Sequence, residues 1–243
     1  MDNQVTAEAV EGKAQPDVNS LLKRFEGDRL FEDIGKGSGT LFGRNDPAAE
    51  LRGKQHSAWK GYIRLRGSRY ERCGFGNYEV STKEQQAAVD KLSAMASSND
   101  LRNAILLGPA GTGKDHLLSA AVRIAIKSGC FSVGWTSGPG LFSKLRNAIS
   151  DKIKEDDVLL PYCKCRLLVI SDLAMTRLTD YQREIVYKIV DRRYNNALIT
   201  WVSSNIANRE AFQSATSSQI VDRLIDDAVY IPCNWSSYRK VKQ

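Results

Sequence analysis

Residues 108–116 read GPAGTGKDH, and no other stretch constrains the chain as strongly. A phosphate-binding loop has the form G-x-x-x-x-G-K-[ST]. Its glycines let the backbone close around phosphates, its lysine reaches the outer phosphates, and its hydroxyl binds magnesium. Gly108, Gly113 and Lys114 fit that form, and Asp115 stands where the hydroxyl belongs. Context decides whether such a match is a site, and the loop must lie between a strand and a helix. It does here. The apolar run NAILLG from Asn103 precedes it, and Leu117, Leu118, Ala121, Val122 and Ala125 follow at helical spacing over 114–127. The helix presents its positive end to an anion at the loop. Gly108, Gly111, Thr112, Gly113, Lys114, Asp115 and His116 are therefore the candidate nucleotide-binding residues.

Further strand-like runs begin at Phe131 (FSVGW), Arg166 (RLLVIS), Leu198 (LITWVSS) and Ala228 (AVYIP), separated by helical stretches such as 179–194. Alternation of strand and helix predicts a parallel five-stranded sheet sandwiched by helices. LLVISD ends an apolar strand in Ser171 and Asp172, placing an acid where an ATPase needs one for magnesium and water activation. Most such strands end in two acids, so Ser171 is the second unusual letter. WVSSN ends in Asn205, suited to orienting a water near the terminal phosphate, although a turn asparagine accounts for it equally well.

The part before residue 73 reads differently. Residues 1–16 are polar, and Val18, Leu21, Leu22 and Phe25 then recur at i, i+3, i+4 and i+7, which predicts a short amphipathic helix. A helix this short needs a surface to dock on, so Leu21, Leu22 and Phe25 are candidate partner-binding residues. GKGSGTLFG, with no strand before it, reads as a linker. Between Arg52 and Arg72 seven cations face a single acid, Glu71, with Trp59, Tyr62 and Tyr70 interleaved. Cations and stackable rings suit a nucleic-acid strand, making Arg64 and Arg66 candidate DNA contacts; a solvated basic linker is the alternative. The division expected is a partner-binding helix and basic linker over 1–72 and an ATP-binding domain over 73–243.

The net charge of +7 on 243 residues is modest. The chain has no apolar run of membrane-spanning length and no signal-peptide form at its start, so the expected location is cytoplasmic. Its five cysteines are an odd, scattered set that reads as reduced thiols.

On CGFGNYEVSTKEQQAA, GPAGTGKDHLLSAA, LLVISDLA, IVDRRYNN and IVDRLIDDAVYIPCNWSSYRK, the region from about Arg69 to Lys240 resembles the helicase loaders of the DnaC type, AAA+ ATPases related to the IstB transposition helpers. The resemblance implies an AAA+ fold, ATP and Mg2+ as cofactors, and slow hydrolysis. It also implies a DnaB-type replicative helicase and single-stranded DNA as partners. By position it implies Asp172 as the water-activating acid, Asn205 as a sensor and Arg239 as a second sensor. Arg223 would be a finger reaching a neighbouring subunit's nucleotide through self-association at AAA+ interfaces, and Tyr181 a DNA contact. An IstB-type helper on duplex DNA, or a nucleotide-binding adaptor that does not hydrolyse, are the alternatives. Asp115, Ser171 and Asp172 are the metal-side candidates. The exchange of acid and hydroxyl between Asp115 and Ser171 predicts that the two compensate around magnesium, which accepts either oxygen.

Overall fold

A computed structural model describes residues 46–98 and 101–239 of the chain. Leu21, Leu22 and Phe25 of the expected docking helix, and the glycine-rich stretch after it, lie outside the described residues.

The first described element corrects the reading of 52–72 as a linker. Helix α1 runs over Pro47–Arg66. Asp46 caps it through a side-chain bond from the Ala48 N–H at 3.0 Å, Pro47 occupies the first turn, and Gly67 at φ 109° ends it. One narrow stripe anchors it. Trp59 and Tyr62 are buried and stacked on each other at 5.6 Å, and the Tyr62 hydroxyl lies 3.2 Å from Ser119 Oγ. The cations occupy the remaining circumference. Trp59 and Tyr62 are therefore not available to stack on bases.

After two 3₁₀ turns, Ser68–Tyr70 and Phe75–Asn77, helix α2 spans Lys83–Ser97 behind a Thr82–Gln85 capping box. The alternating pattern then runs β1 (Ala104–Leu107), α3 (Lys114–Lys127), β2 (Val133–Ser137), α4 (Gly138–Ser150), α5 (Glu155–Lys164) and β3 (Leu167–Ser171). It continues with α6 (Asp180–Asn195), β4 (Ile199–Ser204), α7 (Arg209–Ala215), α8 (Ser218–Ile225) and β5 (Val229–Pro232). All five expected strands are present.

The strands form one parallel sheet in the order β2-β3-β4-β1-β5. Every residue of β1 and β3 is buried, as a sheet covered on both faces requires. Ile105, Leu107, Leu168, Ile170 and Val202 face the core formed with α4 to α8. Because side chains alternate along a strand, Leu106, Val169 and Trp201 point to the opposite face, where α1 and α3 pack. Arg193, fully buried on α6, donates to the carbonyls of Tyr162, Cys165 and Ile199 and so ties α5 to β4. All five cysteines are free thiols. Among the described residues no helix is long and apolar enough to cross a membrane.

Candidate functional site

In a parallel sheet the strand ends that point the same way leave a crevice where connections diverge, and ligands bind there. The carboxyl ends of β1, β3 and β4 carry the phosphate loop, Asp172 and Asn205, and they open on a cleft of about 970 Å³. That size accommodates a nucleotide. The cleft brings together Gly111, Gly113, Lys114, Asp115, His116, Asp172, Asn205 and Arg239.

The loop requires its glycines. Gly113 caps α3 at φ 84°, and a Cβ there would lie 2.7 Å from Tyr78 Cε2. A side chain on Gly108 would overlap the carbonyl of Cys233. Lys114 is nearly buried, and its ammonium donates to the carbonyls of Gly108 at 2.7 Å and Pro109 at 2.8 Å. Burial pulls its pKa below the usual lysine range, with Cys233, Asp172 and Asp115 opposing that shift. Thr112 is fully buried. Its hydroxyl donates to Pro109, and its carbonyl accepts from Tyr78 and Trp235, so it holds the loop and offers no side chain to the cleft. His116 Nε2 lies 2.9 Å from the Gly74 carbonyl and 3.1 Å from Asn77 Oδ1, both acceptors. The ring therefore donates there and fastens α3 to the loop at 74–77.

Asp172 follows β3 at φ 48°, a left-handed conformation uncommon for a non-glycine residue. Its carboxylate accepts from Asn205 Nδ2 at 2.9 Å, so the expected acid and sensor are in direct contact. Burial raises its pKa, the Asp115 charge adds to the rise, and Lys114, Arg66 and Asn205 pull it back. Backbone strain and a perturbed acid in one cleft are the marks of a working site.

Three sequence expectations change here. Ser171 is buried at the end of β3 and is not among the cleft-lining residues, so of the three metal-side candidates Asp115 and Asp172 are the ones on the cleft. The charge answering Asp115 comes from Arg66, whose NH2 lies 2.6 Å from Oδ2. Arg66, read as a candidate DNA contact, pairs with Asp115 and, like Ser171, is not among the cleft-lining residues. Arg64 is exposed on the last turn of α1, and Tyr181 is exposed on α6 with its hydroxyl donating to Glu155 at 3.0 Å. Arg223 lies outside the cleft. It pairs with Asp191 at 2.7 Å and donates to the Tyr187 hydroxyl at 3.0 Å.

Sequence reasoning gave no role to Tyr78, Ser203 or Tyr238. Tyr78 meets His116 and Tyr238 edge-on at 5.4 and 5.5 Å. Tyr238 ties the C-terminal strap to the loop through its N–H on the Gly111 carbonyl at 2.9 Å, and its hydroxyl donates to the Glu79 carbonyl. Ser203 Oγ lies within 3.5 Å of both Asp115 Oδ1 and the Asp172 N–H. The one signal available was the place of both tyrosines beside glycine-rich or arginine-bearing motif letters.

A phosphate loop on β1, an acid after β3, an asparagine after β4 and the strand order β2-β3-β4-β1-β5 together define a P-loop ATP-binding protein of the AAA+ type. The family match is specific: the chain belongs to the IstB-like ATP binding proteins, matched over residues 62–243. Among similar proteins, the replicative helicase loader DnaC of Buchnera aphidicola subsp. Acyrthosiphon pisum is 27% identical over 176 residues, 70% of this chain and 71% of that one. DnaC of Escherichia coli K12 is 26% identical over 174 residues, 70% of each chain. Of solved structures, a DnaC helicase loader superposes with a TM-score of 0.61 at 21% identity, covering 68% of this chain and 98% of that one. DnaI gives 0.58 at 19%, covering 69% and 91%.

The residues present fit ATP by the glycine cradle and the helix terminus. Magnesium commonly takes one or two carboxylates and completes its shell with phosphate and water. Asp115 and Asp172, on one cleft, fit that donor set.

Proposed function

We propose that the chain is an ATP-dependent loader that binds a DnaB-type replicative helicase and delivers it to single-stranded DNA. The supporting observation is the junction of the phosphate loop with Asp172 and Asn205 in one cleft, within a family whose similar members are named replicative helicase loaders. ATP acts as the assembly switch. Lys114 exchanges the carbonyls of Gly108 and Pro109 for phosphate oxygens. Asp115 and Asp172 would hold magnesium, which would supply positive charge against the phosphates. Asp172 polarises water, Asn205 orients it, and Arg239, on the cleft rim, senses the terminal phosphate. Arg223 exchanges Asp191 and Tyr187 for the nucleotide of a neighbouring copy. Leu21, Leu22 and Phe25 dock on the helicase, and Arg64 and Tyr181 contact DNA. The protein acts in the cytoplasm.

The test is capture of the replicative helicase of the same cell by the full-length chain, with and without ATP. Capture that strengthens with ATP and fails for a Leu22→Ser, Phe25→Ser variant supports loading. Helicase-independent binding to duplex DNA assigns an IstB-type role instead. A second reading has one observation in its favour: Ser171 removes one of the two acids usual at that strand end. A non-hydrolysing adaptor would show ATP binding without phosphate release, with or without DNA.

A further inference from the structure

Asp115 and the arginine facing it carry an inference that the loading reading does not contain, and it rests only on ATP binding at the phosphate loop. Asp115 lies on the first turn of α3, beside the place of the outer phosphates, and its side chain is 30% exposed to the cleft. An unanswered carboxylate there repels a triphosphate strongly in a half-buried site. A metal can answer it, and so can the chain itself.

Arg66 reaches across from the end of α1. Its guanidinium is centred 3.5 Å from the Tyr70 ring and 4.8 Å from the Trp135 ring, and only 9% of its side chain is exposed. Stacking between two rings fixes it more firmly than a surface cation is fixed. Its NH2 approaches Asp115 Oδ2 closely but off the direction of a hydrogen bond, so the contact is ionic. Tyr70 donates to the same oxygen at 3.5 Å, while Oδ1 has only the Ser203 hydroxyl at 3.5 Å. One oxygen of Asp115 is thus committed to Arg66 and the other remains open to a cation in the cleft.

We propose that Arg66 is a positioning residue of the nucleotide site, which neutralises Asp115 and thereby lets ATP bind even without magnesium. The cation supplied by α1 is permanent, whereas the metal's is conditional. The chain therefore needs the metal for affinity far less than its unusual loop letter implies.

The experiment measures affinity of the full-length chain for a fluorescent ATP analogue in excess magnesium and in excess EDTA. The readout is the ratio of the two dissociation constants. Arg66→Gln is expected to raise that ratio at least about tenfold over wild type, almost wholly through weaker metal-free binding. Arg66→Lys, which keeps the charge, is expected to leave the ratio near wild type. The pair Arg66→Gln with Asp115→Asn is expected to bring the metal-free affinity back toward wild type and so to lose the raised ratio. Equal weakening in both conditions would make Arg66 a structural prop and overturn the proposal, as would a double variant that keeps the high ratio. Should Arg66→Gln fail to fold, Asp115→Asn alone decides. It is expected to tighten metal-free binding, and unchanged or weaker metal-free binding overturns the proposal.

Discussion

Arg66 and Arg223 are built from the same parts and placed in opposite settings. Each guanidinium pairs with an aspartate, at 2.6 Å to Asp115 and 2.7 Å to Asp191, and each lies over a tyrosine ring, at 3.5 Å from Tyr70 and 4.8 Å from Tyr187. Arg66 is 9% exposed, sits against a second ring and pairs with an acid of the nucleotide cleft. Arg223 is 23% exposed and stands on α8, away from that cleft. Burial and the second ring make the first arginine a fixed part of its own subunit's site. The second, more exposed, is held by hydrogen bonds to Asp191, the Gln219 carbonyl and the Tyr187 hydroxyl. Similar partners therefore hold the two arginines in different settings, one beside the nucleotide cleft and one away from it.

The largest expected effect separates the two arginines by catalysis. Arg223→Ala is expected to lower ATP turnover by about 10³, the scale of an arginine finger, with affinity for ATP unchanged. Mixing it with Lys114→Ala is expected to restore part of the turnover, because some interfaces then join an intact loop to an intact finger. Turnover that does not recover in mixtures that co-assemble would make Arg223 a salt-bridge residue and dissolve the contrast.

Stability provides the next test. Arg66→Ala leaves Asp115 uncompensated and empties the space between two rings, at an expected cost of about 2–3 kcal/mol. That is below the figure for a fully buried pair because Asp115 is partly exposed. Arg223→Ala is expected to cost under about 1 kcal/mol. Urea unfolding of both variants measures the difference, and equal costs would contradict the fixed-versus-releasable distinction.

A smaller effect concerns the acid that senses Arg66. Burial and Asp115 raise the Asp172 pKa. Its contribution to stability is therefore complete below the ordinary carboxylate pKa and is lost as pH rises through the raised one. Asp172→Asn is expected to raise the Tm by about 2 °C at neutral pH and to match wild type near pH 4, while abolishing hydrolysis. Thermal melts at the two pH values check it, and a lower Tm at neutral pH would mean that Asp172 stabilises the fold.

The smallest effect tests Arg64. Charge reversal at Arg64, exposed two residues before Arg66, is expected to flatten the salt dependence of DNA binding by about one unit of slope. An unchanged slope would remove α1 from the DNA surface.

The two arginines also mark how far the sequence could be read. The strands, α3 and the phosphate loop were legible because each is local: periodicity and glycine spacing are written in consecutive letters. Asp172 and Asn205 were legible as strand-end residues, but their mutual bond was not, because it joins β3 to β4. The residues around Arg66 read as a basic linker because α1 buries only Trp59 and Tyr62, too sparse a stripe to outweigh the charges around it. The partnership of Arg66 with Asp115 depends on how α1 lies against α3 and β2, which no spacing encodes. Asp115 was therefore legible as one half of an exchange with Ser171, but its counter-charge on a distant helix was not.

The central claim is that one ATP site lies at the carboxyl ends of β1, β3 and β4, with Lys114 inside it and Arg223 outside. Equilibrium binding of labelled ATP to wild type, Lys114→Ala and Arg223→Ala as isolated, unassembled chains tests it directly. One saturable site is expected, lost in Lys114→Ala and intact in Arg223→Ala. Undiminished binding by Lys114→Ala, or equal loss in both variants, would contradict it.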